Sequence, residues 1–219
     1  MVNNIKSINN GLALLLASLS LTSASAAIAA DNVNTTNSMS VEETAKAQFV
    51  DDTTAKLPEG YRSWVHVGTF LKEPGSKSIL DGSTIEGASF AHTYVEPSAL
   101  AAYKASGKWP DGTQFVKEFA VSSLDDGSCD KKTGLCSTEH GVGIFENYYL
   151  GIAYMVKDAE RFPDAAGNWG YFGFGPAKEK GASYPETAAL RPVENCAGCH
   201  ISHVADTDYV FSGLHLGLQ

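Results

Sequence analysis

The chain has 219 residues, 43% of them hydrophobic, with 16 Lys and Arg against 25 Asp and Glu and a formal net charge of -9. That length suits one domain able to bury a sizeable core, and the acidity argues against non-specific nucleic-acid binding, which runs on attraction to phosphate. Beyond the first thirty residues no segment is apolar enough to predict a membrane helix.

The opening stretch, MVNNIKSINNGLALLLASLSLTSASAAIAAD, sets one cation, Lys6, before an apolar run and a string of Ala and Ser. This is the pattern of a secretory signal over residues 1–30, with Ala27 and Ala29 forming an A-x-A cleavage site and no cysteine nearby to carry a lipid anchor. Residues 31–39 read as a polar leader, and the Ser40 and Glu43 spacing predicts a capping box and a short helix up to about Val50. Residues 57–219 read as the single folded domain.

Within it, YRSWVHVGTFL (residues 61–71) and ASFAHTYVE (88–96) alternate as strands. PSALAAYKASG carries Pro97 in its first turn and Gly107 beyond its last, the signature of a helix of about ten residues. From Thr113 a strand sets Phe115, Lys117, Phe119 and Val121 on one face, so Lys117 is the one charge on the more apolar side. Further strands are predicted over residues 144–156 and 169–174, and residues 177–195 read as a loop with room for one helical turn. A terminal helix carries the last cysteines towards Val210. Helices flanking antiparallel strands give a mainly β, α+β fold class.

The four cysteines form two pairs. Cys129 and Cys136 flank DKKTGL in a polar, glycine-containing loop, where a local disulfide staple is expected in an oxidising compartment. Cys196 and Cys199 belong to NCAGCHISH, and C-x-x-C-H is the attachment signature of a c-type haem. Two thiols add to the two porphyrin vinyl groups, and His200, held in register by the same turn, ligates the iron. Ala197 and Gly198 let the backbone lie close to the ring edge. A zinc site competes but needs four ligands, and His203 lies in no zinc-type spacing. A thioredoxin-type disulfide also competes, but such a pair follows a strand and opens a helix early in a βαβ unit.

The sixth iron position decides function. An electron-transfer cytochrome fills it with Met or His, whereas a haem that binds or transforms small ligands leaves it open. Met155 lies in a strand and reads as core, and His66, His92, His140, His203 and His215 are scattered, so an open distal side is the more economical reading. Lys117 reads first as a lysine snorkelling along the sheet, yet an amine buried among aromatics becomes a nucleophile able to bond to a porphyrin.

Four stretches, YRSWVHVGTF, WPDGTQFVKEF, VKDAERFPDAAGNWGYFGF and CAGCHISHVADTDYVF, resemble the cytochrome P460 and cytochrome c′-β family and with their spacers cover the chain from about Leu57 onward. The resemblance implies a β-rich, dimeric, periplasmic protein holding one covalently bound haem c. It puts Lys117 at the position of a lysine joined to a haem meso carbon in the P460 branch. That branch oxidises hydroxylamine to nitrous oxide or nitrite and passes electrons to an external acceptor such as a small cytochrome c. The c′-β branch binds nitric oxide or carbon monoxide under a phenylalanine cap, a role open here to Phe90, Phe115, Phe119, Phe172 or Phe174.

Two departures accompany it. Ala153 falls where hydroxylamine-oxidising relatives carry a distal carboxylate, with Glu146 as a substitute if its strand faces the iron, and the loop from Asp125 to Gly143 reads as an insertion. The expectation is therefore a hydroxylamine-oxidising haem enzyme, with a gas-binding cytochrome second and an electron-transfer module third.

Overall fold

A computed structural model of the chain describes residues 46–122, 127–176, 181 and 183–219. The signal peptide expected over residues 1–30, the leader and the start of the helix expected from Ser40 lie outside the described residues. The described end of that segment is not helical: Phe49–Asp51 is a strand (β1) that turns back into Thr54–Lys56 (β2). Phe49 docks edge-on against the rings of Phe162 and Phe172, a tertiary contact that overrides local helix preference.

A single 3-10 turn, Tyr61–Ser63, takes the beginning of the first predicted strand, and β3 runs from Val65 to Lys72. β4 is Ser89–Val95, and the helix α1 is Pro97–Ser106. The Glu96 carboxylate accepts the backbone N–H groups of Ser98 and Ala99 at 2.7 Å each, and Gly107, with φ 72°, closes the other end in a left-handed conformation that costs glycine little. β5 (Gln114–Ser122) follows, then the hairpin β6 (Cys136–Thr138) and β7 (Gly141–Gly143), then β8 (Glu146–Lys157) and β9 (Trp169–Phe174). A disulfide joins Cys129, in the loop before that hairpin, to Cys136 at the start of β6. A three-residue strand, β10 (Thr187–Ala189), occupies what the sequence suggests is loop, and α2 covers Ala197–Val204.

β3, β4, β5, β8 and β9 form one antiparallel sheet in that order, and β1, β2 and β10 form a second, smaller one. The fold is mainly β with two α-helices among the described residues. β10 pairs only with β2, so no periodic signal within three residues could have announced it. The same pairing ties residues 46–56 into the domain.

Both faces of the five-stranded sheet are covered. On one, Val116, Ile152, Tyr154, Phe172 and Phe174 pack with Tyr61, Trp64, Phe162, Ala55 and Ala188. Fully burying side chains of this size is worth about 1.5–3 kcal/mol each. Glu118 is sunk into the same face. Its carboxylate accepts hydrogen bonds from the Tyr61 hydroxyl at 2.6 Å, the Tyr184 hydroxyl at 2.8 Å and Nη2 of Arg62 at 2.6 Å, which replaces water and neutralises the charge. On the other face, Val67, Val95, Phe115, Met155, Trp169 and Tyr171 meet Val210 and Leu218 from the C-terminal segment.

Glu118→Ala would strand two tyrosine hydroxyls, and the expected cost is roughly 3 kcal/mol in chemical denaturation, whereas Tyr61→Phe, removing one donor of three, costs about 1 kcal/mol. Equal stability of Glu118→Ala and wild type would show the network to be ornamental.

Candidate functional site

Lys117 faces away from Glu118 because successive residues of a strand point to opposite sides, and that side is a cavity. Its floor is a row of cross-strand partners: Gly68 on β3 opposite Thr93 on β4, Thr93 opposite Lys117, Lys117 opposite Ala153, and Ala153 opposite Gly173 on β9. One row along, Phe115, Met155 and Tyr171 line the same space. The rest of the wall comes from Asn195, Cys196, Cys199, His200, Val210, Phe211 and His215, with Ile79 at the side. About 800 Å³ lies empty between floor and roof, including the open mouth.

The roof is positioned from β9. Leu190 bridges to Phe172, and the backbone N–H of Arg191 donates to the carbonyl of Tyr171 at 2.8 Å, so the segment entering the cysteine cluster leaves from the sheet edge. α2 stops at Val204, short of the helix predicted to reach Val210. Asp208 and Tyr209 both adopt left-handed backbone angles, with φ 53° and 61°, a conformation costing non-glycine residues about 1–2 kcal/mol each. Offsetting contacts hold them. Lys157 pairs with the Asp208 carboxylate, and Nε1 of Trp169 donates to the Asp208 carbonyl at 3.0 Å.

This turn aims the Tyr209 carbonyl at His200, whose Nδ1 lies 2.7 Å away. A carbonyl only accepts, so Nδ1 carries the proton and Nε2 keeps its lone pair free, the tautomer an iron ligand needs. Burial pushes the His200 pKa down and Lys117 pushes the same way, while the Tyr209 bond opposes both. The ring is wedged between Tyr171 and Phe211, each 4.9 Å away between centroids. Cys196 and Cys199 are free thiols, and burial raises the pKa of Cys196. No group of three or more His, Cys, Asp or Glu able to hold a metal ion occurs among the described residues, so the zinc alternative finds no ligand set.

Lys117 has no carboxylate partner within salt-bridge range among the described residues. Its ammonium lies 5.2 Å from the centre of the Phe70 ring, and burial lowers its pKa from 10.5 to about 8. Beside it, the Thr93 hydroxyl is buried without a hydrogen-bond partner among the described residues. A free amine, an orphan hydroxyl, two thiols and an imidazole with one lone pair, on apolar walls, match the chemistry of a group attached by thioethers, ligated once and large enough to cover the floor.

Of the residues singled out from sequence, Lys117, Cys196, Cys199 and His200 thus line one cavity, as does Phe115 among the aromatic candidates, whereas Phe172 borders it with its ring packed among the residues of the other face. Glu146 does not. It stands at the start of β8, with its carboxylate 2.7 Å from Nε2 of His92 though not in line for a hydrogen bond, so it is no substitute for the carboxylate missing at Ala153. Cys129 and Cys136 belong to the stapled loop, away from the cavity lining. Met155, read as core, also reaches the wall. Thr93, Tyr171 and His215 carry no site signal in the sequence, and only the alternation of β4 could have suggested Thr93.

The amine gives a titration to look for. A lysine of ordinary pKa is about 0.3% neutral at pH 8, whereas one with a pKa of about 8 is half neutral. In protein made without haem, labelling of Lys117 by a small amine-directed reagent should reach half its maximum near pH 8, and peptide mass spectrometry would read it. A labelling curve coinciding with those of surface lysines would show the amine to be fully solvated.

No curated protein matches the chain. The family model for Cytochrome P460 matches residues 58–212. That span holds the whole five-stranded sheet, the cavity floor and the cysteine cluster, and on it the chain belongs to the cytochrome P460 family of haem-binding cytochromes.

Proposed function

We propose that the cavity holds a single haem c, joined to Cys196 and Cys199 by thioethers and ligated by Nε2 of His200, and that the protein oxidises hydroxylamine. The observation that carries this is the enclosed Lys117 amine on the floor, unpaired and largely uncharged above a pH of about 8, facing the same space as the thiols and the imidazole. The haem when bound supplies one-electron redox chemistry. The chain's own residues do the rest. His200 is fixed in one tautomer by the Tyr209 carbonyl, Phe115, Met155 and Tyr171 exclude water, and Thr93 offers a hydroxyl to a small polar ligand.

Lys117 is suited to form a third covalent bond to the ring edge. Attack by its neutral amine would join nitrogen to a meso carbon with loss of two electrons and the displaced protons, and the electrons require an oxidant such as peroxide. In turnover, two hydroxylamine molecules give one nitrous oxide and one water with four protons and four electrons, and the electrons pass to an external acceptor such as a small cytochrome c. Export to the periplasm and a homodimeric state accompany this reading. The gas-binding alternative draws on one observation, the alanine at position 153 in a cavity whose described lining has no carboxylate.

Denatured holoprotein should keep its haem in wild type and lose it in a Cys196→Ala, Cys199→Ala double variant. Comparing intact mass and visible spectrum with Lys117→Ala reads the third bond, and identical denatured spectra would remove it. Steady reduction of an artificial acceptor by hydroxylamine tests the enzyme. Tight binding of nitric oxide without any hydroxylamine turnover would favour the gas-binding reading instead.

A further inference from the structure

The oxidation of hydroxylamine releases protons with its electrons, so a closed cavity needs a base within reach of the reacting nitrogen. The described lining contains no Asp or Glu, Lys117 and His200 are committed to the haem, and one base is left over, His215. It is 5% exposed, lines the cavity, and its side chain makes no hydrogen bond among the described residues. Its place is set by a close approach to the sheet. A Cβ on Gly68 would come within 3.1 Å of Nδ1 of His215 and 3.4 Å of its Cα, so the glycine lets the histidine pack directly against β3 at the edge of the floor. Gly68 is the cross-strand partner of Thr93, whose buried hydroxyl is also unpartnered, and Thr93 is the partner of Lys117.

His200 and His215 reach the cavity differently. His200 hangs from the roof against Tyr171 of β9, whereas His215 rests on β3 at the opposite edge of the sheet, with Lys117 on the central strand between. Thr93 and His215 thus border the same space as His200 but from the β3 and β4 side of the sheet, where they would meet a small ligand of a group held by the roof. The charged groups acting on His215 are Lys117 from β5 and His66 from β3, which add to burial in lowering its pKa to about 4. At neutral pH it is a free base.

Resting on the hydroxylamine reading, we propose that His215 accepts the proton lost from hydroxylamine bound over the floor, while the Thr93 hydroxyl holds that ligand in place. The N–H bond breaks, the proton goes to the free imidazole nitrogen, the electron pair stays on the substrate nitrogen, and the electrons of oxidation leave to the external one-electron acceptor, a small cytochrome c. His215 thus supplies the base that Ala153 cannot.

Hydrogen cyanide tests this apart from turnover, since it too must give up a proton on binding ferric haem. With ferric holoprotein, association followed by stopped flow should be about 10²-fold slower at neutral pH in His215→Gln and in the volume-matched His215→Phe than in wild type. The wild-type rate should fall as pH drops towards about 4, and neither variant should show that fall. Hydroxylamine kcat should drop by a similar factor with a smaller change in KM. Cyanide rates and pH profiles unchanged in both variants would overturn the inference, including the case where only haem retention or the resting spectrum changes, which would make His215 a contact at the haem rim. A wild type that never turns over hydroxylamine but shows the His215-dependent cyanide rates would sink the enzyme reading and leave the base in place.

Discussion

The side to which one strand turns its charges governs this molecule. On β5, Lys117 and Glu118 are adjacent and point to opposite faces, and the carboxylate is locked behind the sheet by Tyr61, Tyr184 and Arg62. A slip of one residue would bring Glu118 into an apolar cavity and send Lys117 among Ile152 and Phe174, each charge then losing its partner or its function. The buried carboxylate is better understood as a register pin than as a source of stability, because ion pairs of this kind gain little over well-packed apolar groups. What it secures is the direction in which Lys117 points.

The roof obeys a different constraint. It is one contiguous stretch, tied at its start by the Arg191 bond to Tyr171 and at its end by Asp208, held by Lys157 and Trp169. Two consecutive residues in left-handed conformation are an unusual expense for a chain without glycine there. In return the Tyr209 carbonyl fixes the His200 tautomer, so that backbone strain at one end of the roof sets which imidazole nitrogen is left free at the other.

Much of this was legible in the sequence. Alternation marked β4 and β5, and the strands expected over residues 144–156 and 169–174 fall on β8 and β9 to within a few residues, while Pro97 and Gly107 bounded α1. C-x-x-C-H identified the cluster because two thiols and an imidazole at that spacing have few other uses. The failures have physical causes. The segment ending at Val50 became a strand because Phe49 found two aromatic partners more than a hundred residues away, and β10 exists only through its pairing with β2. Glu146 looked eligible because its strand passes the cavity, but it stands several residues before the part of β8 that does. His215 carried no local pattern, and its placement depends on a glycine far upstream.

The two cysteine pairs stand in opposite oxidation states in the same molecule, one a disulfide and the other two free thiols. Cys129 and Cys136, only seven positions apart, meet by closing a small loop and do so well ahead of any long-range partner. Once shut, that pair is reopened by attack of a thiolate, and the half-buried Cys196 is a poor source of one because its proton is held more tightly than usual. The early pair is thereby withdrawn into its loop, while the late pair stands as free thiols, the state from which the proposed thioether bonds would start.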